Sequence, residues 1–297
     1  MSLSAHPDLA HAAALLRALA GAVGTARVEL PVGVPDPEAA EARLAGGVPA
    51  LTGEPLLDWE HLRQGVAAVA EALAATDAGS AATLVRERLE GMPSGADRDR
   101  LAQASAEGAW EVLEAAAVRL DVDPDVLATV LDWAARPALR AAAAALAPLV
   151  AGAHWSRGHC PACGALPTLS VVRGKERERR LHCGRCGTGW AFPRVRCPSC
   201  GGSDHELMGY LHAAGEGEHR RAEVCDGCGG YVKSVALLDD PDADRLLQLD
   251  LETAALDFLA LEGGYTRHSI PSSSQRSPPC GSARSNSTRR PSGDQTG

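Results

Sequence analysis

Four short motifs set the architecture of this chain: Cys160-Pro-Ala-Cys-Gly164, Cys183-Gly-Arg-Cys-Gly187, Cys197-Pro-Ser-Cys-Gly201 and Cys225-Asp-Gly-Cys-Gly229. Each is a Cys-x-x-Cys pair followed by glycine, and we call each one a knuckle. Two residues between the cysteines let both sulfurs reach one metal ion. The glycine can adopt a positive φ, which turns nearby backbone N–H groups toward the thiolates. The motifs therefore predict two metal sites with four cysteines each.

The spacing along the chain favours pairing of consecutive knuckles. Between Cys163 and Cys183 lie 19 residues, and between Cys200 and Cys225 lie 24. Either loop is long enough for a hairpin that returns the second knuckle to the first, as in zinc ribbons and rubredoxins. A crossed arrangement is the main alternative. The predicted metal ligands are Cys160, Cys163, Cys183 and Cys186 in the first site and Cys197, Cys200, Cys225 and Cys228 in the second.

The sulfur ligands do not distinguish zinc from iron. Residue chemistry alone favours zinc that holds together a module too small for its own core, since metal binding contributes ~10 kcal/mol or more to folding. Iron in a rubredoxin-like site would instead form a one-electron redox centre. A thioredoxin-type dithiol is a third interpretation. It needs an unpartnered Cys-x-x-Cys pair in a strand-to-helix setting, which the sequence does not show.

The remaining cysteine and the nearby histidines are not predicted to be ligands. Cys280 stands alone in a polar segment and is interpreted as a free thiol. Each quartet of cysteines is already complete, so the histidines are expected on the surface or next to the ligands. They are His154, His159, His182, His205, His212 and His219.

An alanine-rich region with helical spacing precedes the knuckles. Its apolar residues recur at three- and four-residue intervals, as in Trp110, Leu113 and Ala117. In Asp123-Pro124 the aspartate suits a helix N-cap and the proline suits the first helical position. This half of the chain is predicted to be mostly helical.

From Trp155 onward the composition shifts to Cys, Gly and β-branched residues, which predicts short strands joined by turns. The strand candidates are Leu166–Arg173, Arg180–His182, Gly189–Arg196, Leu207–Leu211, Arg221–Val224 and Tyr231–Leu238. Residues 241–261 then predict one amphipathic helix that ends before Gly263. The predicted class is α+β: an α-helical N-terminal domain, two small β-rich metal modules and a C-terminal helix.

These patterns divide the chain into predicted regions. The helical domain covers residues 1–154, the first module 155–194, the second module 195–240 and the C-terminal helix 241–264. Residues 271–297 contain almost nothing apolar. They are predicted to be disordered, because they cannot bury enough surface to offset the entropy of ordering.

The charge distribution argues against a general nucleic-acid-binding protein, which would normally carry a strong basic excess. The net charge is -9, and residues 1–158 hold 12 Lys/Arg against 21 Asp/Glu. The N-terminus lacks the basic region of a signal peptide, and no apolar run reaches the ~18 residues that span a membrane. The expected location is therefore the cytoplasm, where thiols stay reduced and ligate metals rather than form disulfides.

Residues 173–196 differ from this acidic background, because they hold eight Lys/Arg and only two Glu. Four thiolates on one divalent ion leave a net negative charge that nearby cations stabilise. The same residues would also suit a docking surface for an acidic partner or for phosphates. The sequence shows no Gly-rich phosphate loop, no Ser/His/Asp constellation and no pair of catalytic carboxylates. No enzymatic activity is predicted.

The order of the knuckles and the residues around them resemble the FdhE family of formate dehydrogenase accessory proteins. The segments that carry the resemblance are Cys160–Gly164, Leu181–Trp190, Arg194–Cys200, Arg221–Lys233 and Gly264–Ile270. The likeness extends over residues 155–270, whereas the alanine-rich first half fits only in being helical. After Ile270 the Ser/Arg-rich sequence departs from the short apolar ending of the family.

The resemblance implies a non-catalytic cytoplasmic protein that binds the catalytic subunit of a molybdenum- or tungsten-dependent formate dehydrogenase and is needed for that enzyme to become active. It also implies a helical domain followed by two rubredoxin-like modules, with iron on the eight cysteines and zinc as the alternative. The residues leave two other functions open: a zinc-ribbon nucleic-acid-binding protein, motivated by residues 173–196, and a rubredoxin-like electron carrier. The helical half shows no leucine-zipper pattern, and the sequence does not predict an oligomeric state.

Overall fold

The computed structural model describes residues 7–25, 35–213 and 219–267. The fold is α+β, as predicted, with a helical half followed by a β-sheet and two further helices. Within the described residues, no helix is both long and apolar enough to cross a membrane. The predicted disordered segment at 271–297 and the predicted free thiol of Cys280 lie outside the described residues.

The helical half is built around one long, buried helix, α7. Asp123 caps it by accepting hydrogen bonds from the backbone N–H groups of Asp125 and Val126, at 2.9 and 3.0 Å, and Pro124 is its first residue. The predicted cap is therefore confirmed. The helices of this half are α1 (Pro7–Thr25), α2 (Pro37–Ala45), α3 (Trp59–Leu73), α4 (Gly79–Glu90), α5 (Ala96–Glu107), α6 (Trp110–Leu120), α7 (Pro124–Ala145) and α8 (Ala147–Gly152).

Six strands form a single sheet, and each of them lies within or overlaps one predicted strand. They are β1 (Leu169–Arg173), β2 (Glu178–His182), β3 (Gly189–Ala191), β4 (Met208–Leu211), β5 (Arg220–Cys225) and β6 (Gly230–Leu237). Their order is β3-β2-β1-β6-β5-β4. β1 and β6 run parallel, and every other neighbouring pair is antiparallel. The two predicted modules are therefore joined into one sheet by the β1–β6 pairing.

The C-terminal helices cover one face of this sheet. Leu246 and Leu249 pack against β1 and the end of β6, where Val171 and Val235 are buried. Further along, Leu256 packs against the buried apolar side chains of β5. This face is the apolar core of the sheet half, because side chains alternate between the two faces of a strand.

The predicted single C-terminal helix is broken into two, α9 (Ala243–Glu252) and α10 (Ala254–Glu262). The break falls at Thr253, which is buried and whose hydroxyl donates to the carbonyl oxygen of Leu249 at 2.6 Å. Such a bond from a β-branched residue to the preceding turn competes with regular helix geometry. On either side of this break, α9 packs on the β1 side of the sheet and α10 on the β5 side.

A group of charges around one buried lysine fastens these helices to the sheet. The ammonium group of Lys233 is fully buried on β6 and lies 2.6 Å from a carboxylate oxygen of Asp250 and 2.7 Å from one of Asp257. The guanidinium of Arg267 contacts the same two carboxylates at 3.2 and 2.9 Å. Two cations and two anions balance, which is the condition for burying a charge without a large penalty.

Candidate metal centres

The first two knuckles bring four sulfur atoms together at the edge of the helical half. The Sγ atoms of Cys160 and Cys186 are 3.5 Å apart, and those of Cys163 and Cys183 are also 3.5 Å apart. All four ligand atoms lie within 4.8 Å of one another. Three of these cysteines are buried, and Cys163 is half-buried.

The third and fourth knuckles form a second cluster with the same plan. The Sγ atoms of Cys197 and Cys228 are 3.7 Å apart, and those of Cys200 and Cys225 are 3.9 Å apart. Again all four lie within 4.8 Å of one another. The knuckles are thus paired consecutively rather than crossed, and the eight predicted ligands are brought together four and four.

The spacing of the sulfurs fits tetrahedral coordination of one ion in each cluster. With metal–sulfur bonds of about 2.3 Å, the sulfurs of a tetrahedral site lie about 3.8 Å apart. The separations of 3.5–3.9 Å match this value and are far from the ~2.0 Å of a disulfide. Two clusters of this kind can hold two metal ions, and four sulfurs accept either zinc or iron.

The charge of four grouped thiolates also favours a bound cation in each cluster. Burial raises the pKa of the Cys160 thiol, while hydrogen bonds from Cys160 and its neighbours lower the pKa of Cys186. In the second cluster a hydrogen bond from Cys228 lowers the pKa of Cys197 to about 5. Four thiolates together require a positive charge at the centre.

The four knuckles share one backbone geometry. Their last residues have the predicted positive φ angles of +80°, +80°, +74° and +70° at Gly164, Gly187, Gly201 and Gly229. In each knuckle the N–H of this glycine donates to the carbonyl oxygen of the first cysteine, at 2.8–3.0 Å. In the third knuckle, hydrogen bonds from the backbone N–H groups of Ser199 and Cys200 contribute to the low pKa of Cys197.

The first cluster is built into the helical half. The backbone N–H groups of Ala50 and Leu51 donate to the carbonyl oxygens of Pro161 and Ala162, in the first knuckle, at 2.8 and 2.9 Å. The buried cysteines of this cluster belong to the same apolar core as the helices. The first cluster therefore closes one side of the helical core.

Arg185, inside the second knuckle, makes the strongest polar link to the helices. Its Nε donates to a carboxylate oxygen of Asp132 at 2.5 Å, and its Nη2 donates to the carbonyl oxygen of Ser105 at 2.9 Å. Burial favours the neutral carboxyl form of Asp132, but the guanidiniums of Arg136 and Arg185 outweigh it and lower the pKa. Arg185 thus supplies a fixed positive charge beside the first cluster, as predicted for the basic segment.

Most other cations of residues 173–196 are engaged within the protein. Arg173 and Arg180 each lie 3.0 Å from Asp240, and Arg179 is buried against Glu223 at 2.6 Å. Exposed side chains that form no ion pair with any described residue are Lys175, Arg177 and Arg194. Among the described residues, the unpaired exposed cations of the basic run are therefore fewer than its sequence suggests.

The second cluster is more exposed to solvent than the first. The last described residues of the chain are hydrogen-bonded to it. Residues 264–267, which we call the C-terminal strap, lie across the fourth knuckle. The N–H of Thr266 donates to the carbonyl oxygen of Gly229 at 2.8 Å, and the hydroxyl of Tyr265 donates to Asp226 at 2.6 Å. Burial and the Asp226 carboxylate raise the pKa of Tyr265 to about 12, so the hydroxyl stays protonated at neutral pH.

The two clusters meet through a close backbone contact. A Cβ atom on Gly158, just before the first knuckle, would lie 1.8 Å from the carbonyl oxygen of Pro198 in the third knuckle. Only glycine permits this approach. Arg196 adds a hydrogen bond from its Nη1 to the carbonyl oxygen of Ser156, at 3.3 Å.

Within the described residues, only cysteines make up the two metal-ligand clusters. His182 is buried beside the first cluster, where burial lowers its pKa to about 4, and its Nε2 lies 3.5 Å from Asp240. The rings of His159 and Trp155 pack in a T-shaped arrangement. His212 and His219 line a cavity beside β5 and β6. The sequence did not predict this cavity, because its lining residues come from separate segments of the chain.

Family comparisons cover the region that holds both clusters. The profile of the FdhE central domain matches residues 159–194, and that of the FdhE C-terminal domain matches residues 195–272. These two adjoining matches contain all eight clustered cysteines.

Curated relatives and a solved structure agree with these matches. A protein FdhE homolog of Pseudomonas aeruginosa is 37% identical over 141 residues, which are 40% of this chain and 45% of that protein. Protein FdhE of Escherichia coli O9:H4 is 35% identical over 145 residues, or 46% and 45% of the two chains. The aligned region thus spans less than half of these relatives. The crystal structure of the FdhE protein from Pseudomonas aeruginosa matches 90% of both chains, with a TM-score of 0.60 and 27% identity.

Proposed function

Because the chain belongs to the FdhE family, we propose that it is a non-catalytic accessory protein that binds the catalytic subunit of a formate dehydrogenase and is needed for that enzyme to become active. The main support is that both FdhE domain profiles fall on the region with the two four-cysteine clusters. The likeness to a solved FdhE structure extends through the helical half as well. The proposed location is the cytoplasm, where the thiols would stay reduced.

The eight cysteines are proposed as the ligands of two iron ions, one in each cluster. The sulfur spacing supports tetrahedral coordination, and the family resemblance favours iron over zinc. Bound iron would supply a one-electron redox centre, whereas zinc would supply structure alone. In either case the protein's own contribution is to hold the bases of two β-hairpins together and to dock them on the helical half.

A gene-deletion experiment tests the accessory role. Removing the gene from the host organism is expected to reduce formate oxidation to background while the catalytic subunit is still produced, and the wild-type gene should restore the activity. Co-purification with a tagged catalytic subunit tests direct binding. Undiminished formate oxidation in the deletion strain would refute the role, and failure to co-purify would refute direct binding.

Metal analysis with an absorption spectrum tests the ligand and metal proposals. The purified protein is expected to contain two iron ions and to show the visible colour of ferric thiolate sites. A colourless protein with two zinc ions would replace iron with zinc and would end the electron-carrier alternative. A folded protein that contains no metal would refute both the ligand assignment and the proposed redox centres.

A further inference from the structure

Each cluster has one knuckle that carries a charged residue between its two cysteines. In the first cluster it is Arg185, in Cys183-Gly-Arg-Cys186, and in the second it is Asp226, in Cys225-Asp-Gly-Cys228. The other knuckle of each cluster has uncharged residues in this place, Pro-Ala in one and Pro-Ser in the other. The grouping of the sulfurs and the glycine turns are alike in the two clusters. Arg185 and Asp226 therefore distinguish the two sites by charge.

The positive charge of Arg185 is held in place beside the first cluster. Its side chain is only 14% exposed, and its guanidinium donates to a carboxylate oxygen of Asp132 and to the carbonyl oxygen of Ser105, near the end of α5. Burial lowers the pKa of Arg185, but the charges of Asp132 and of the thiolates of Cys163 and Cys183 outweigh it and raise the pKa. The guanidinium therefore interacts with the sulfurs as a permanent cation.

Asp132 does not cancel this charge, because it is shared. The Nη2 atom of Arg136 lies 2.8 Å from one of its carboxylate oxygens, and the Nε atom of Arg185 lies 2.5 Å from the other. Two guanidiniums and one carboxylate leave one positive charge in this group. All three side chains are largely buried, so solvent ions screen that charge less than they screen a surface charge.

The charge in the fourth knuckle has the opposite sign and a different setting. Asp226 is exposed, and its carboxylate accepts the hydrogen bond from the hydroxyl of Tyr265 at 2.6 Å. Arg196 lies near the same cluster, where its Nε donates to the carbonyl oxygen of Gly201 at 3.1 Å, and it opposes the charge of Asp226 in part. Solvent weakens the effect of an exposed carboxylate. We therefore expect Asp226 to act on its cluster more weakly than Arg185 acts on the first.

We propose that Arg185 raises the reduction potential of the first metal centre and that Asp226 lowers the potential of the second. Uptake of one electron makes a four-thiolate iron site more negative by one charge, and charge near such a site is one of the factors that set its potential. A nearby cation stabilises the reduced form, and a nearby carboxylate stabilises the oxidised form. Burial disfavours the more highly charged reduced form, so Arg185 offsets the burial of the first cluster.

This inference rests on the proposal that the clusters hold iron, and it is independent of the accessory role. The full chain is loaded with ferrous iron without oxygen, and a redox titration followed by visible absorption measures both potentials. In the Cys200→Ser chain the same titration measures the first centre alone.

Arg185→Gln is expected to lower the potential of the first centre by about 59 mV, which is a tenfold change in the equilibrium constant for one electron. Arg185→Lys keeps the charge but not the planar guanidinium, and it should retain more than half of this effect. Lys175→Gln is the matched control. It removes one positive charge from the β1–β2 turn, at the other end of the same hairpin, and less than a twofold change, or about 18 mV, is expected.

Two further variants test the sign of the effect. Asp132→Asn removes the carboxylate next to Arg185 and should raise the potential of the first centre, and it keeps the proposal testable if Arg185→Gln does not fold. Asp226→Asn should raise the potential of the second centre by about threefold in the equilibrium constant, or about 28 mV. The asparagine side chain can still accept a hydrogen bond from Tyr265, so the C-terminal strap should stay in place.

Iron content and melting temperature are measured first for every variant. Equal shifts for Arg185→Gln and Lys175→Gln, or a potential of Arg185→Lys as low as that of Arg185→Gln, would overturn the proposal while the iron sites stand. A wild-type chain that takes up no iron would overturn this inference together with the proposed iron sites. The titration contains no formate dehydrogenase, so the deletion experiment remains a separate test of the accessory role.

Discussion

The two four-cysteine clusters have the same knuckles but different surroundings. The first cluster shares a buried core with the helices and is linked to them by backbone hydrogen bonds and by Arg185. In the second cluster Cys200 and Cys228 are half-buried, and the C-terminal strap is bonded to its fourth knuckle. The same four-cysteine arrangement therefore belongs to the main core at one site and lies outside that core at the other.

Because of this difference, we expect loss of a metal from the first cluster to unfold more of the molecule than loss of a metal from the second. A structural metal contributes ~10 kcal/mol or more to folding, which is comparable to the total stability of a typical domain. The first cluster is part of the main core, so metal bound there should also stabilise the helices. The second cluster lies at the β4–β5 edge of the sheet, so loss of its metal can unfold that edge alone.

Replacing one ligand in each cluster tests this difference and should give the largest effect. We expect Cys160→Ser to prevent cooperative folding of the helical half, because the vacated ligand position lies inside the shared core. We expect Cys200→Ser to leave the helices folded and to release metal from the second cluster only. Thermal unfolding followed by far-UV circular dichroism, together with limited proteolysis and metal content, measures both outcomes.

The two variants serve as controls for each other, since each removes one sulfur from a Cys-x-x-Cys pair. If both variants lose the helical signal at the same temperature, the clusters are equivalent and the comparison fails. If both stay metal-loaded and resistant to protease, the cysteines are not the ligands.

Breaking the link between Asp132 and Arg185 should have a smaller effect on the first cluster. We expect Asp132→Ala to lower the free energy of unfolding by about 2 kcal/mol, because a largely buried guanidinium loses its carboxylate partner. Urea unfolding measures the change. The control is Glu90→Ala, which removes an exposed partner of Arg86 on α4 and should cost less than about 0.5 kcal/mol. Equal losses would show that Arg185 does not anchor the knuckle.

Local features of both clusters were predictable from the sequence. The Cys-x-x-Cys spacing, the positive φ of the following glycines and the six short strands each depend on a few neighbouring residues. The lengths of the two intervening loops also favoured the consecutive pairing that the structure has. The N-cap at Asp123 belongs to the same class, because a cap involves only the next three residues.

Long-range features were not predictable, for a physical reason. The parallel pairing of β1 with β6 joins strands from different modules, and no local periodicity encodes which strands become neighbours. Arg185 and Asp132 are 53 residues apart in the chain. The break at Thr253 depends on two sheet regions that each bind one helix, so the sequence of the helix alone predicted continuity.

Removing one hydroxyl from the C-terminal strap should give the smallest effect and should be confined to the second cluster. Tyr265→Phe removes the hydrogen bond to Asp226 and is expected to speed metal loss to a chelator by about two- to fivefold, since a single hydrogen bond contributes about 0.5–1 kcal/mol. The control is Tyr210→Phe, whose hydroxyl bonds to no described residue. Metal release should be biphasic, and Cys200→Ser identifies the phase of the second cluster. A change in the other phase would mean that the strap acts on both clusters, because the contact of Gly158 with Pro198 would then transmit the disturbance to the first site.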